Sequence, residues 1–375
     1  MKVALVHELL TLKGGAERVL RIFTEMFPDA PIYTLLYDKG KLGDWFPPER
    51  VRPSRLQKIA NRWPLSASRF NHHLYLPSFP GAVEAWDFSA FDLVLSSSSA
   101  FTHGIITNGK PKHLSYIHSP ARYLWDRTHD VLDRTNRGFF GPLKRAVLSR
   151  VLHPLRTWDA EAADRADGLI AASHEVQRRI QLYWRRESEV IHPPIDDYWF
   201  TPISYNLSST PYYLIASTLS AYKRIDLAID ACNQLNRRLK IAGTGSAEQS
   251  LRAIAGPTIE FLGFQPDHDL KELYTNARAV IFPGEEDFGL VPLEANACGT
   301  PVIAYRAGGA LETIHEGENG MFFPDATSQS LVQAILRFEQ KKYSNEKCIE
   351  VAQKYRKGMF VQKMYATVEE LMKEN

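Results

Sequence analysis

The sequence predicts an α/β protein built of two Rossmann-like domains facing a cleft. Three observations point there. Short apolar runs alternate with helical patterns, the alternation occurs in two series, and a proline-punctuated passage, VIHPPIDDYWF at 190–200, lies between them. Strands that alternate with helices form parallel sheets covered on both faces, so each strand reads as an unbroken apolar run.

The first series opens with the apolar run at 2–6, the pair Gly14–Gly15, and a helical stretch at 16–27 with Val19, Leu20, Phe23 and Phe27 on one face. This is strand, glycine loop, helix. Further strands are expected at 91–95 (FDLVL), 113–117 and 169–172, the last followed by Ser173 as the N-cap of a helix over 174–184. The second series gives strands at 212–217, 239–242, 259–262, 279–282 and 302–304, with a helix over 224–235 and a Gly243-Thr244-Gly245 loop. The Lys-rich stretch from 346 to 375 is helical. The expected domains are 1–195 and 196–350, with 351–375 a C-terminal helix packing back on the first.

Composition is that of an ordinary globular protein, 44% hydrophobic and 23% charged over 375 residues, a length that suits two domains. The net charge of +2 is unevenly spread. Residues 1–200 carry 27 Lys and Arg against 22 Asp and Glu, whereas the remainder has 18 against 21, so the excess of cations lies in the first half. Two acid-free stretches concentrate it: Arg50, Arg52, Arg55, Lys58, Arg62 and Arg69, and then Arg134, Arg137, Lys144, Arg145, Arg150 and Arg156. Both are interleaved with apolar residues, a pattern that suits peripheral contact with an anionic membrane or, equally, solvated helix faces. No nucleic-acid-binding motif accompanies them. The three cysteines, Cys232, Cys298 and Cys348, are odd in number and form no CxxC, which argues against a disulfide framework and against a zinc site. Nothing before His7 is long enough for a signal-peptide core, and the uncharged stretch 93–109 is too rich in Ser, Thr, Asn and Gly to span a membrane. The expected location is the cytoplasm, with any membrane contact peripheral.

Four sets of residues carry candidate chemistry. Gly14–Gly15 lets backbone amides approach a phosphate at a helix start, the plain alternative being a tight turn. Neither GxGxxG nor GxxxxGK[ST] is present, so a nicotinamide site or a phosphate loop of that kind is not supported. His118, in HSPARYLWD, ends a strand where open α/β sheets bind ligands, though a structural histidine is as common a reading. Lys223–Arg224 opens a helix after a strand, and two cations there suit a diphosphate or simply solvent. In EEDFGLVPLEANACGTPVIAY, at 285–305, Pro292 suits a first helical turn and Gly299 a helix end. Glu286 then precedes the helix and Glu294 lies about one turn inside it. Between them the amides of Phe288, Gly289 and Leu290 are helix-start donors. Two acids around such donors suit a sugar and a diphosphate; a capping acid plus an exposed helical acid is the bland version.

These residues carry a resemblance. Glu286 and Glu294 match the E-x7-E pattern of retaining glycosyltransferases, and the chain resembles glycosyltransferase family 4. GGAE at 14–17, IHSPARYLWD at 117–126, VIHPPID at 190–196, YKRIDLAI at 222–229 and the segment 285–314 occur in family order. They look most like bacterial mannosyltransferases of O-antigen and exopolysaccharide assembly. The resemblance implies the GT-B fold, with acceptor on the first domain and donor nucleotide on the second. It implies a nucleotide sugar as co-substrate, GDP-mannose above others, a glycan or lipid-linked acceptor, and no metal or other cofactor. By similarity Glu294 holds the ribose and Glu286 the sugar hydroxyls. The Phe288–Gly289–Leu290 amides meet sugar and phosphate, Lys223 neutralises the leaving diphosphate, Gly15 lets the first loop close, and His118 meets the sugar. The family's arginine five residues before the lysine is here Thr218. Either Arg224 substitutes or the clamp relies on Lys223 and amides. A UDP-sugar donor stays open, because base choice depends on the loop at 263–266, and Thr218 leaves open a non-catalytic partner subunit. Acceptor recognition is expected from the loops at 50–80 and 100–108.

Overall fold

Short apolar runs settle as strands because both faces of each are covered. A computed structural model describes residues 1–61, 75–135, 140–202 and 211–373, and shows two parallel sheets. Arg62, Arg69, His72, His73 and Arg137, and part of the 50–80 loop, fall outside the described residues. The chain divides into two compact units, Met1–His192 with Val361–Asn375, and Pro193–Phe360.

The first unit contains β1 (Val3–Leu10), β2 (Ile32–Tyr37), β3 (Val51–Pro53), β4 (Leu93–Ser98), β5 (Lys112–Ile117), β6 (Gly168–Ala171) and β7 (Glu189–Val190), in spatial order β3-β2-β1-β4-β5-β6-β7. Helix α1 (Gly15–Met26) follows β1 and buries Val19, Leu20 and Phe23, with the Phe23 ring edge-on to Tyr116 of β5 at 5.8 Å. β1 runs four residues past the expected end at Val6, carrying His7 and Glu8 into the sheet. Polarity argued for stopping there; partners on β4 make it unnecessary. Ser173 caps helix His174–Trp184 as expected, its hydroxyl accepting from the Val176 amide at 3.0 Å. The acid-free stretch around 144–156 is part of one long helix, Gly141–Ala162. The C-terminal helix Lys357–Lys373 places Tyr365 on the first unit, its hydroxyl donating to the Met26 carbonyl at 2.9 Å.

The second unit contains β8 (Tyr213–Ala216), β9 (Leu239–Ala242), β10 (Ile259–Gly263), β11 (Ala279–Phe282), β12 (Val302–Tyr305) and β13 (Gly320–Phe323), in order β10-β9-β8-β11-β12-β13. Its strands show why the runs are apolar throughout. Tyr213, Ile215, Ala279, Ile281 and Ile303 pack into one core layer. Their neighbours Leu214, Ala216, Val280, Phe282 and Val302 pack into the layer on the other side. Each buried isoleucine contributes roughly 2 kcal/mol of transfer free energy. Cys232, Cys298 and Cys348 are buried free thiols, and burial holds each pKa up at about 12, so they pack as small apolar groups. Among the described residues no helix is long and apolar enough to cross a membrane.

Candidate active site

Each sheet reverses its strand order once, and a ligand crevice lies outside the carboxyl ends of the strands at that point. In the first unit the reversal falls between β1 and β4, in the second between β8 and β11. The sequence-predicted residues gather at these two places.

In the first unit, His7 of β1 and Ser97 of β4 are register partners in the sheet. His118 lies one residue beyond β5, and its Nε2 is 2.8 Å from the Ser97 hydroxyl. The same hydroxyl is 3.1 Å from His7 Nδ1. His7 Nε2 is in turn 3.6 Å from Glu17 Oε1, in the first turn of α1. The Gly14 amide donates to Glu17 Oε2 at 3.0 Å, so Gly14 is tied to its own helix and a phosphate would have to compete for that donor. His118 is partly exposed, while His7, Ser97 and Glu17 are buried. Burial, and then the neighbouring His7, hold the His118 pKa down at about 3, so it meets a ligand as a neutral imidazole.

Beside this chain Glu8 is buried. One of its oxygens, Oε1, accepts from the Ser98 hydroxyl and from the amides of Ser99, Ala100 and Phe101, each at 2.9 Å. Burial works to raise its pKa, but His7 and these amides outweigh it and the carboxyl is held below its usual range. Glu8 therefore anchors the turn after β4. His103, in that turn, stacks on Trp184 at 4.4 Å and takes a structural place. The serine-rich end of β4 is explained by these contacts: Ser96, Ser97 and Ser98 are all buried, and all bond to histidine or acid side chains.

In the second unit the loops after β8 and β11 meet. The Lys223 ammonium forms an ion pair with Glu286 Oε1, the two side chains being 13% and 22% exposed. Close approach of the loops depends on Gly284, where a Cβ would lie 2.9 Å from Lys223 Cα and 3.0 Å from its carbonyl oxygen. The loop after β12 braces the same segment. The Gly309 amide donates to the Glu286 carbonyl at 2.9 Å, and a Cβ on Gly309 would lie 2.2 Å from Phe288 Cα. Phe288 is buried, and helix Leu290–Ala297 starts directly after Gly289. Inside it Glu294 is buried, with Oε2 accepting from the Tyr274 hydroxyl at 3.2 Å. Arg224 turns the other way: its guanidinium lies on Asp226 at 3.2 Å, in the first turn of the helix that it caps. Thr218 is exposed.

Lys223, Glu286, Phe288, Gly289, Leu290 and Glu294 thus share one sheet edge, and Gly14, Gly15 and His118 share the other. The sequence reading missed His7, Glu8, Ser97 and Tyr274. Two of them had a signal, since His7 and Glu8 continue an apolar run into which polar residues enter only with partners.

The comparisons agree with this layout. Residues 202–355 match the family model for glycosyl transferases group 1. A protein of Escherichia coli K12 named as a colanic acid biosynthesis glycosyltransferase, WcaL, is 27% identical over 174 residues, 42% of this chain and 43% of that one. A D-inositol 3-phosphate glycosyltransferase of a Mycobacterium species is 31% identical over 191 residues, 44% of each chain. The chain thus spans about half the length of the curated relatives it matches. Among solved structures, HepE of Anabaena in complex with UDP superposes with a TM-score of 0.71 at 18% identity, covering 99% of this chain and 100% of that one. Sucrose-phosphate synthase of Thermosynechococcus elongatus gives 0.73 at 17%, with the same coverage. At such identities the likeness concerns the fold, which is GT-B.

Proposed function

We propose that this protein is a retaining glycosyltransferase that moves a hexose, mannose from GDP-mannose, onto a glycan or lipid-linked acceptor in polysaccharide biosynthesis. The observation that carries the reading is the partly buried Lys223–Glu286 pair, set at the strand-order reversal beside the start of helix Leu290–Ala297. The group 1 match spans all of these residues. In this reading Glu294 holds the ribose, steadied by Tyr274, and Glu286 holds hydroxyls of the transferred sugar. Lys223 and the amides of Phe288, Gly289 and Leu290 neutralise charge that grows on the diphosphate as the glycosidic bond breaks. Arg224 lies on Asp226 in the structure, so this reading assigns the clamp to Lys223 and the amides, with Arg224 as the further donor-side cation. Within the first unit, Gly15 keeps the start of α1 free of a side chain, and neutral His118 is the group that exchanges a hydrogen bond with a sugar hydroxyl. The acceptor oxygen attacks the face that the diphosphate leaves, and its proton passes to the departing phosphate oxygen. No side chain acts as nucleophile, and no metal or other cofactor is assigned.

A UDP-sugar donor is the second reading, favoured by the solved likeness of a protein bound to UDP. A thermal-shift screen of GDP, UDP, ADP and their sugar conjugates decides between them. Selective stabilisation by GDP and GDP-mannose supports the first reading, and a UDP-selective shift overturns the donor. No shift with any nucleotide, or no donor hydrolysis by the wild-type protein, favours a non-catalytic partner subunit instead, whereas hydrolysis that survives Glu286→Ala overturns the role given to Glu286.

The lipid-linked acceptor implies work at a membrane surface. Phe140, Leu143 and Val147 are 63%, 64% and 55% exposed along the start of helix Gly141–Ala162, beside exposed Lys144 and Arg150. Apolar side chains among cations suit peripheral contact with anionic lipid. Failure to co-sediment with anionic liposomes at low salt removes this part of the reading.

A further inference from the structure

We propose that Glu17 and His7 are positioning residues for His118: acting through the Ser97 hydroxyl, they set whether the outer nitrogen of His118 presents a proton or a lone pair. The proposal rests on the reading of His118 as a group that meets the transferred sugar. It concerns the first unit alone.

The chain of contacts has one degree of freedom. Ser97 carries a single proton and sits 3.1 Å from His7 Nδ1 and 2.8 Å from His118 Nε2. It donates to one ring and accepts from the other. His7, Ser97 and Glu17 are 2%, 0% and 6% exposed, so the hydroxyl is shielded from bulk water. His118 Nδ1 has no hydrogen-bond partner among the described residues, and His118 is the member that reaches the surface.

Two arrangements follow. With His7 neutral and its Nε2 proton toward Glu17, His7 Nδ1 is a lone pair and Ser97 donates to it. Ser97 then accepts from the Nε2 proton of His118, and His118 Nδ1 is left as an acceptor. With His7 protonated, its Nδ1 donates to Ser97 and Ser97 donates to His118 Nε2. His118 then carries its proton on Nδ1 and offers a donor. One proton separates the two states. It enters at His118 Nδ1, the Nε2 proton passes to Ser97, and the serine proton passes to His7 Nδ1. His118 remains neutral at both ends of the transfer.

The charges around His7 decide which state prevails. Glu17 faces it from α1, Glu8 adjoins it on β1, Ser97 faces it from β4, and His118 lies beyond β5. Burial opposes a charge on His7, yet the two carboxylates outweigh burial and raise its pKa above the ordinary 6.5. The donor form of His118 is therefore favoured below that raised value and lost as pH climbs through it. Glu17 also holds the Gly14 amide, so the same carboxylate fixes the glycine loop and the imidazole pair.

The test uses full-length protein with 15N-labelled histidine, read by NMR without any substrate. The expected result is that the His118 proton moves from Nδ1 to Nε2 over the pH range in which His7 titrates. Glu17→Gln keeps an acceptor for Gly14 but removes the charge, and is expected to lower the midpoint by about one pH unit or more, the effect of one adjacent opposite charge. Ser97→Ala is the second variant. With it His7 still titrates, but the His118 tautomer stops following. A His118 tautomer that ignores His7, a Glu17→Gln midpoint within a few tenths of wild type, or coupling that survives Ser97→Ala each overturns the relay. The pH profile of sugar transfer then tests positioning: its alkaline limb is expected to move with the NMR midpoint in Glu17→Gln. An unmoved limb overturns the positioning role. Wild-type protein that transfers no sugar overturns the functional reading instead, while the NMR arm still decides the relay.

Discussion

Replacing Lys223 by methionine keeps most of the side-chain stem and removes the charge, which separates what the Lys223–Glu286 pair does for stability from what it does for transfer. With side chains 13% and 22% exposed, the pair is neither fully solvated nor deeply buried. Pairs near a surface contribute up to about 1 kcal/mol. For a unit of this size that is a fall of about 2–4 °C in melting temperature. On the proposed reading the cation's effect on the transition state is larger, because charge grows on the diphosphate beside a pair that is itself largely shielded from solvent. Losing one such preorganised group costs about 3–4 kcal/mol, or a factor of about 100 to 1,000 in turnover. The assay pairs scanning calorimetry with release of nucleoside diphosphate from the sugar nucleotide that the thermal-shift screen selects. A variant whose turnover stays within about threefold of wild type refutes the electrostatic role, since the predicted effect is far larger. A fall in melting temperature beyond about 10 °C refutes the separation, because lost folding would then account for lost activity.

Gly309→Ala places a Cβ 2.2 Å from Phe288 Cα and 2.4 Å from its carbonyl oxygen, where only backbone movement relieves the overlap. It is expected to cost about 1–3 kcal/mol in calorimetric stability and to weaken nucleotide binding, because the displaced segment leads into the helix start. Tyr274→Phe removes the hydroxyl that lies 3.2 Å from Glu294 Oε2, and a weakening of nucleotide affinity by about tenfold is expected in titration calorimetry, with melting changed little. Burial, together with nearby His103, holds the His113 pKa down at about 3 against an ordinary 6.5, so below that value the unfolded chain takes up a proton that the folded one refuses. Stability is lost as pH falls, by about 2 kcal/mol from this group between pH 7.5 and 5, and His113→Asn is expected to remove that share of the pH dependence in denaturant titrations.

The alternation of apolar runs and helices determined the α/β class and most strands, because a strand buried on both faces must be apolar along its whole length. Strands 239–242 and 279–282 fall where the periodicity puts them. The start of helix Leu290–Ala297 was legible for a local reason: a proline tolerated in a first turn and a glycine at the far end leave few other boundaries. Glu286 and Glu294 were therefore placed correctly about that start from sequence alone. The sequence could not show that Lys223 pairs with Glu286, since that contact depends on which strands are neighbours, and strand order is set by long-range packing. Arg224 reads as a second phosphate cation in sequence and turns to Asp226 in the fold. The relay beneath His118 was likewise invisible, because His7, Glu17, Ser97 and His118 are joined by the parallel registers of β1 with β4 and of β4 with β5 and by the return of α1 over them. Local pattern determined the elements and their ends; the order in which the sheets assemble decided which side chains share a proton or a charge, because those contacts require tertiary neighbours that no local stretch specifies.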